Sequence, residues 1–355
     1  MTKDEKYIAR CIQLAKNGQC NAAPNPMVGA VIVHQDTIIG EGYHIRCGEA
    51  HAEVNAIRSV KDESLLKDST IYVSLEPCSH YGKTPPCADL IINKGIRKAV
   101  VGCQDPFSLV AGKGIQKMRD AGIEVKVGVL EAECLQLIQR FVTFNIRKRP
   151  FITLKWAESS DGFIDLHRTG GHPFIFSSPL TSMLVHKRRA EHSAILVGRR
   201  TALLDNPSLT TRNWHGKNPV RMVIDKNLTL PPNLELFSGN IRTIVFTQQD
   251  ETPFVPNVEY IRLDFNRNII PQILEELYRQ KLQSLMVEGG SQLIQSFIDL
   301  NCWDEAFIEH SDAYLHDGVK APTFPAKTDF SSAKWFGKEI RYASNKAFEQ
   351  KNTSK

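Results

Sequence analysis

Two short stretches carry side chains that could do chemistry together. Residues 51–53 read His-Ala-Glu, and residues 77–87 read Pro-Cys-Ser-His-Tyr-Gly-Lys-Thr-Pro-Pro-Cys. One imidazole, His51, and two thiolates, Cys78 and Cys87, fill three of the four positions that zinc favours and leave the fourth for water. Zinc lowers the pKa of a bound water towards about 7. A carboxylate two residues after the histidine, Glu53, is placed to move that water's protons. The alternative is a closed structural site with His44 or His80 as fourth ligand, and in such a site Glu53 has no task.

The order His-x-Glu followed by Pro-Cys marks zinc deaminases of nucleobases, in which the glutamate is acid and base rather than ligand. The reaction is attack of water on an amine-bearing ring carbon. Glu53 takes the proton from water, protonates the ring nitrogen and assists the departure of ammonia. One feature is unusual: the second cysteine follows the first by nine positions.

These residues need elements to hold them. The first half alternates helix and strand: a helix over 4–17, a hairpin of strands over 28–34 and 38–44, a helix from His51 to Val60, and a strand over 70–75 that runs into Glu76-Pro77-Cys78. Pro85 and Pro86 open a helix beginning near Cys87, so two helix N-termini present the ligands. Strands over 98–102 and 125–129 enclose another helix. A boundary falls at Arg147-Lys148-Arg149-Pro150. Beyond it, strands are expected over 151–157, 194–198, 221–225, 243–247, 258–263, 285–288 and 305–310, with helices over 179–192, 270–281 and 291–300. Both halves read as α/β. The division is residues 1–147, 148–345 and a polar tail, 346–355.

The 355 residues carry a net charge of +5, too small and dispersed to argue for nucleic acid, and no stretch has the length of a membrane span. A nucleic-acid-editing deaminase would call for a basic groove with exposed aromatics. The N-terminus lacks the apolar core of a signal peptide, which points to a cytoplasmic protein. Cys11, Cys20, Cys47, Cys103, Cys134 and Cys302 have no metal-like grouping and read as small buried hydrophobes. In the second half, Glu288-Gly289-Gly290 ends a strand before a helix at Ser291, a turn that lets a phosphate or ribose approach backbone amides.

Asn25-Pro26-x-Val28-Gly29, His44, His51-Ala-Glu53 and Glu76-Pro-Cys78-Ser-His80-x-Gly82-x-Thr84-Pro-Pro-Cys87 resemble the deaminase half of the RibD family of bifunctional riboflavin biosynthesis proteins. Lys155-Trp-Ala157-Glu-Ser159-Ser-Asp161-Gly162, Arg189, Ala194–Gly198 with Thr201, Asp205-Asn-Pro207-x-Leu209-Thr-x-Arg212 and Val287–Gly290 resemble its reductase half. The resemblance implies a cytidine deaminase-like three-layer α/β/α domain followed by a dihydrofolate reductase-like α/β domain. It implies one zinc ion and NADPH, and a small-molecule substrate, a diaminopyrimidine ribosyl phosphate, which is deaminated and then reduced from ribosyl to ribityl. It also implies a homo-oligomer, while the modest charge and the lack of a membrane-length stretch argue for no nucleic-acid or membrane partner. A deaminase whose second domain only binds substrate or oligomerises is the competing reading.

Carried over position by position, the resemblance assigns Asn25, His44, His80 and Lys83 to the pyrimidine. It assigns Lys155, Arg189, Leu209, Arg212 and Glu288 to the second substrate, and Ala157, Phe174, Thr201, Asp205 and Gly290 to NADPH. Arg199 and Arg200 are candidates for the cofactor's 2′-phosphate. The chain departs from the family pattern at Phe107, where an asparagine is usual. It departs again at His172, Phe174 and Phe176, where serine, tryptophan and threonine are usual. His316-Asp-Gly318 matches the family's late turn only loosely.

Overall fold

The computed structural model describes residues 1–81, 85–107 and 111–345. It divides into two units, Met1–Lys148 and Arg149–Lys355. Lys83 and the polar tail lie outside the described residues.

The first unit contains helices α1 (Lys3–Ala15), α2 (Ala52–Arg58), α3 (Cys87–Asn93), α4 (Lys113–Asp120), α5 (Glu131–Leu137) and α6 (Gln139–Arg147). Its strands are β1 (Gly29–His34), β2 (Thr37–Tyr43), β3 (Thr70–Leu75), β4 (Lys98–Cys103) and β5 (Glu124–Val127), ordered β2-β1-β3-β4-β5. β1 runs antiparallel to β2 and β3, whereas β3, β4 and β5 are parallel. Residues alternate between two cores because successive strand side chains point to opposite faces. Ile32, Ile71 and Val73 pack with Ala56, Ile91 and Met118. Val31, Tyr72 and Val100 pack with Ile8, Cys11 and Cys134 on the other side. This is an α/β/α sandwich.

The second unit carries β6 (Phe151–Glu158), β7 (Phe163–Asp165), α7 (Pro179–Ala190), β8 (Ala194–Gly198), α8 (Arg199–Asp205), β9 (Val220–Ile224), β10 (Thr243–Thr247), β11 (Val258–Arg262), α9 (Ile269–Arg279), β12 (Ser284–Val287), α10 (Ser291–Asp299), β13 (Glu305–His310), β14 (Val319–Lys320), β15 (Phe330–Trp335) and β16 (Lys338–Ser344). Nine strands form one sheet, β11-β10-β9-β8-β12-β6-β13-β16-β15, and β7 and β14 pair separately. The sheet is parallel from β11 to β13, and β16 and β15 close it as an antiparallel pair. Strands such as Ala194–Gly198 are apolar throughout because both faces are covered. Leu154, Leu196 and Val287 meet Leu277 and Phe297 on one face, and Ile195, Val197 and Met286 meet Leu236 on the other.

The sequence expectations need four adjustments. The last strand of the first unit runs over 124–127 rather than 125–129. Pro86 stands at the N-cap of α3, one position before the helix, with Cys87 its first residue. The short elements α5, α6, α8, β7, β14, β15 and β16 were not expected. Of the six ungrouped cysteines, Cys11, Cys103 and Cys134 are buried, but Cys20, Cys47 and Cys302 are only half-buried because they lie in connections outside the helices and strands.

Candidate active sites

The ligand triad forms where β3 ends and two helices begin. His51 is the N-cap of α2 in extended conformation, and Glu53 is the second residue of that helix. Cys78 follows β3 by three positions, and Cys87 opens α3. Helix α2 is pressed onto β2 at Gly42, where a Cβ would stand 2.7 Å from the Ala52 carbonyl oxygen and collide with the Ala56 amide. Asn55 locks the approach with an amide that donates to the Tyr43 carbonyl at 2.9 Å.

His51 Nδ1 lies 3.6 Å from Cys78 Sγ and 3.4 Å from Cys87 Sγ. A tetrahedral zinc bonded to sulfur at about 2.3 Å and to nitrogen at about 2.05 Å requires a sulfur–nitrogen separation of about 3.6 Å. The donors therefore fit zinc in both type and spacing. Among the described residues these three form the sole group of such donors, with their ligand atoms within 4.8 Å of one another. His44 is not a fourth ligand: its Nδ1 donates to the Ala50 carbonyl at 3.1 Å, and its Nε2 accepts from the Asn25 amide at 3.1 Å. Asn25, His44 and His51 are thus brought together, with the two imidazole rings edge to face at 5.4 Å.

The electrostatics follow from burial and proximity. Cys78 is pulled down to about 4, by hydrogen bonding with Cys87 first and then, against burial, with His51. Cys87 is pushed up by Cys78 and by burial, so the two thiols share one proton. The Cys87 amide, at the start of α3, donates to Cys78 Sγ at 3.3 Å. Glu53 is 3% exposed. Burial, and then the charge on Cys78, push its carboxyl up to about 7. A bound dication would pull it back down.

In the second unit, Lys155, Arg189 and Glu288 converge. Arg189 donates to Glu288 through Nε at 3.1 Å and Nη2 at 2.6 Å, and its Nη1 donates to the Thr210 carbonyl at 3.2 Å. Lys155 is held below its ordinary value by burial, partly offset by Glu288 and Glu309. His186 was not singled out in the sequence. It is buried with Nδ1 unpartnered and lies within electrostatic reach of Arg189, Arg212 and Glu288. Arg212 reaches Ser208 Oγ at 2.7 Å. The Leu209 side chain is 2% exposed and belongs to the core, which leaves only its main chain to meet a ligand.

Thr201, Gly289 and Gly290 form a cradle. A Cβ on Gly290 would stand 3.3 Å from Thr201 Oγ1, and the N-terminus of α10 has no side-chain cap. Small residues and free amides at a helix start suit a nucleotide cofactor. Ala157 lies at the end of β6 opposite Glu309. Asp205 is already engaged in an ion pair with Arg168, a residue that the sequence reading passed over. Arg168 also holds Asp165 through Nε at 2.6 Å and the Gly171 carbonyl at 3.2 Å. Asp165 in turn accepts the Phe174 amide at 3.1 Å. This clasp pins the loop that carries Phe174 to the end of α8. Phe174 is partly exposed and packs its ring 4.8 Å from buried Phe176, so Phe176 serves as packing at the position where threonine is usual in the family. Arg199 reaches Thr229 at 2.7 Å and Arg200 the Arg168 carbonyl at 3.1 Å. His80 and His172 are exposed.

Comparison with known proteins gives a match for each unit. Residues 1–103 match the cytidine and deoxycytidylate deaminase zinc-binding region, and residues 150–335 match the RibD C-terminal domain. The riboflavin biosynthesis protein RibD of Bacillus amyloliquefaciens is 38% identical over 339 residues, covering 93% of this chain and 90% of that protein. The Escherichia coli K12 protein of the same name is 33% identical, with 96% of each covered. A diaminohydroxyphosphoribosylaminopyrimidine deaminase/5-amino-6-(5-phosphoribosylamino)uracil reductase from Thermotoga maritima superposes with a TM-score of 0.88 at 38% identity, over 96% of this chain and 98% of that one.

Proposed function

Because the chain belongs to the RibD family of riboflavin biosynthesis proteins, we propose a residue-level account of its two activities. It is a bifunctional enzyme, a zinc-dependent deaminase joined to an NADPH-dependent reductase. The substrate is the diaminopyrimidinone ribosyl phosphate. The first unit exchanges its 2-amino group for a carbonyl, and the second reduces the ribosyl group to ribityl.

His51, Cys78 and Cys87 would hold zinc, which supplies Lewis-acid activation of water. Glu53 accepts the water proton, delivers it to the ring nitrogen and assists ammonia out. Its burial beside Cys78 supports this proton role. Asn25, oriented by neutral His44, meets the pyrimidine, as do His80 and Lys83. In the reductase, NADPH supplies the hydride. Ala157, Phe174, Thr201, Asp205 and Gly290 position it. Lys155, Arg189, Arg212, Glu288 and the Leu209 main chain orient the ribosyl phosphate. We assign the work to a cytoplasmic homo-oligomer; no helix among the described residues is long and apolar enough to cross a membrane.

The observation that carries the account is the His51, Cys78 and Cys87 triad at zinc spacing beside buried Glu53. The test is product mass after incubation of the diaminopyrimidine phosphate with the purified protein, with and without NADPH. Exchange of amine for carbonyl without NADPH, followed by a gain of two hydrogens with it, is expected. Deamination alone would reduce the second unit to a binding module.

A further inference from the structure

Glu76 directly follows β3, two positions before Cys78, and its carboxylate is buried. It accepts four backbone amides from one downstream stretch. Oε2 takes Asp105 at 3.1 Å and Gly112 at 2.9 Å; Oε1 takes Gly114 at 2.8 Å and Ile115 at 3.2 Å. No cationic side chain pairs with it among the described residues.

Each oxygen has its own task. Gly114 and Ile115 are the second and third residues of α4, whose N-cap, Gly112, has no side chain to offer. Their amides are the ones a capping side chain would normally take, and Oε1 takes them instead from another element. Oε2 grips Asp105 and Gly112, the two ends of the connection from β4 to α4. The Glu76 amide donates to the Cys103 carbonyl at 3.0 Å and ties the ends of β3 and β4. α4 can come this close because residue 114 is glycine; a Cβ there would collide with the Pro77 carbonyl oxygen. Asp105 accepts the Phe107 amide at 2.9 Å and lies within electrostatic reach of His80. One carboxylate therefore joins the Cys78–His80 segment to the segment bearing Asp105 and Phe107.

We propose that Glu76 is a positioning residue of the deaminase, which holds Asp105 and Phe107 in fixed relation to the Cys78–His80 segment so that the pyrimidine meets a preformed wall. The inference rests on the reading of His51, Cys78 and Cys87 as the deaminase centre. With both oxygens committed to backbone amides, Glu76 acts through position. Its loss should weaken ground state and transition state together, and so raise KM rather than lower kcat.

The test is Glu76→Gln in the full chain. The amide keeps one acceptor oxygen but turns an NH2 group towards two N–H donors, leaving them unsatisfied. The expected result is a rise of about tenfold in the deaminase KM, with kcat within about threefold, zinc content unchanged, and NADPH-dependent reduction of pre-deaminated substrate unchanged. Glu76→Asp keeps the charge but shortens the reach, and should fall between. An unchanged KM in both variants would overturn the proposal. So would zinc loss with kcat collapse in both, which would make Glu76 a fold element only. A wild-type chain without zinc-dependent deamination would overturn the underlying site reading instead.

Discussion

Arg189 and Glu288 lie 99 positions apart and meet as a two-pronged ion pair, Nε to Oε1 at 3.1 Å and Nη2 to Oε2 at 2.6 Å. Both side chains are largely buried, and Lys155 faces the same carboxylate. Glu288→Gln should lower reductase turnover by about 10²-fold, the order seen when an oriented charge is lost from a closed site. NADPH consumption checks this, and deamination by the same preparation should be unaffected.

The same pair sets a pH dependence. Burial works to raise the Glu288 carboxyl, but Arg189 and Lys155 outweigh it and hold the group below its ordinary value of 4.5. A depressed carboxylate stabilises the fold above its unfolded pKa and loses that contribution as pH falls through the folded value. The stability difference between wild type and Glu288→Gln should therefore stay constant from about pH 8 to about pH 5 and shrink only below 4.5. Chemical unfolding across that range reads it, and a difference already falling near neutrality would contradict the assignment.

Glu53→Gln should retain zinc and lose about 10²- to 10⁴-fold in deamination. Cys87→Ser should lose the metal itself. Metal analysis beside activity separates the two roles, and full zinc occupancy in the serine variant would exclude Cys87 as a ligand.

Gly42→Ala addresses the packing of α2. The added methyl meets main-chain atoms of Ala52 and Ala56, which cannot rotate away. A loss of about 1–3 kcal/mol in stability of the first unit is expected, together with reduced deamination, because α2 carries His51 and Glu53.

Arg168→Met releases Asp165 and Asp205 and with them the loop bearing Phe174. Weaker NADPH binding, by about tenfold, should appear in a fluorescence titration without any substrate. Unchanged affinity would mean that the clasp serves the loop and not the cofactor.

Much of this was legible in the chain. The apolar runs located Thr70–Leu75, Ala194–Gly198 and Thr243–Thr247 because strands buried on both faces leave little else to read. The ligand triad was legible because zinc restricts residue type and because the short His-x-Glu and Pro-Cys stretches are recognisable by themselves. Arg168 was not, since its partners Asp165 and Asp205 belong to a strand and a helix too short to show a period. His186 looked like any helical polar residue, and its burial depends on how α7 packs. Asp205 was singled out but came with a partner already in place, a fact only tertiary contact reveals.

Cys78 follows the end of a strand and Cys87 opens a helix, so the metal geometry is set by the scaffold and not by the count of residues between them. None of the described residues of the intervening segment joins the ligand group. A protein engineer can therefore alter that segment to test other amines while the strand end and the helix start keep both thiolates in place.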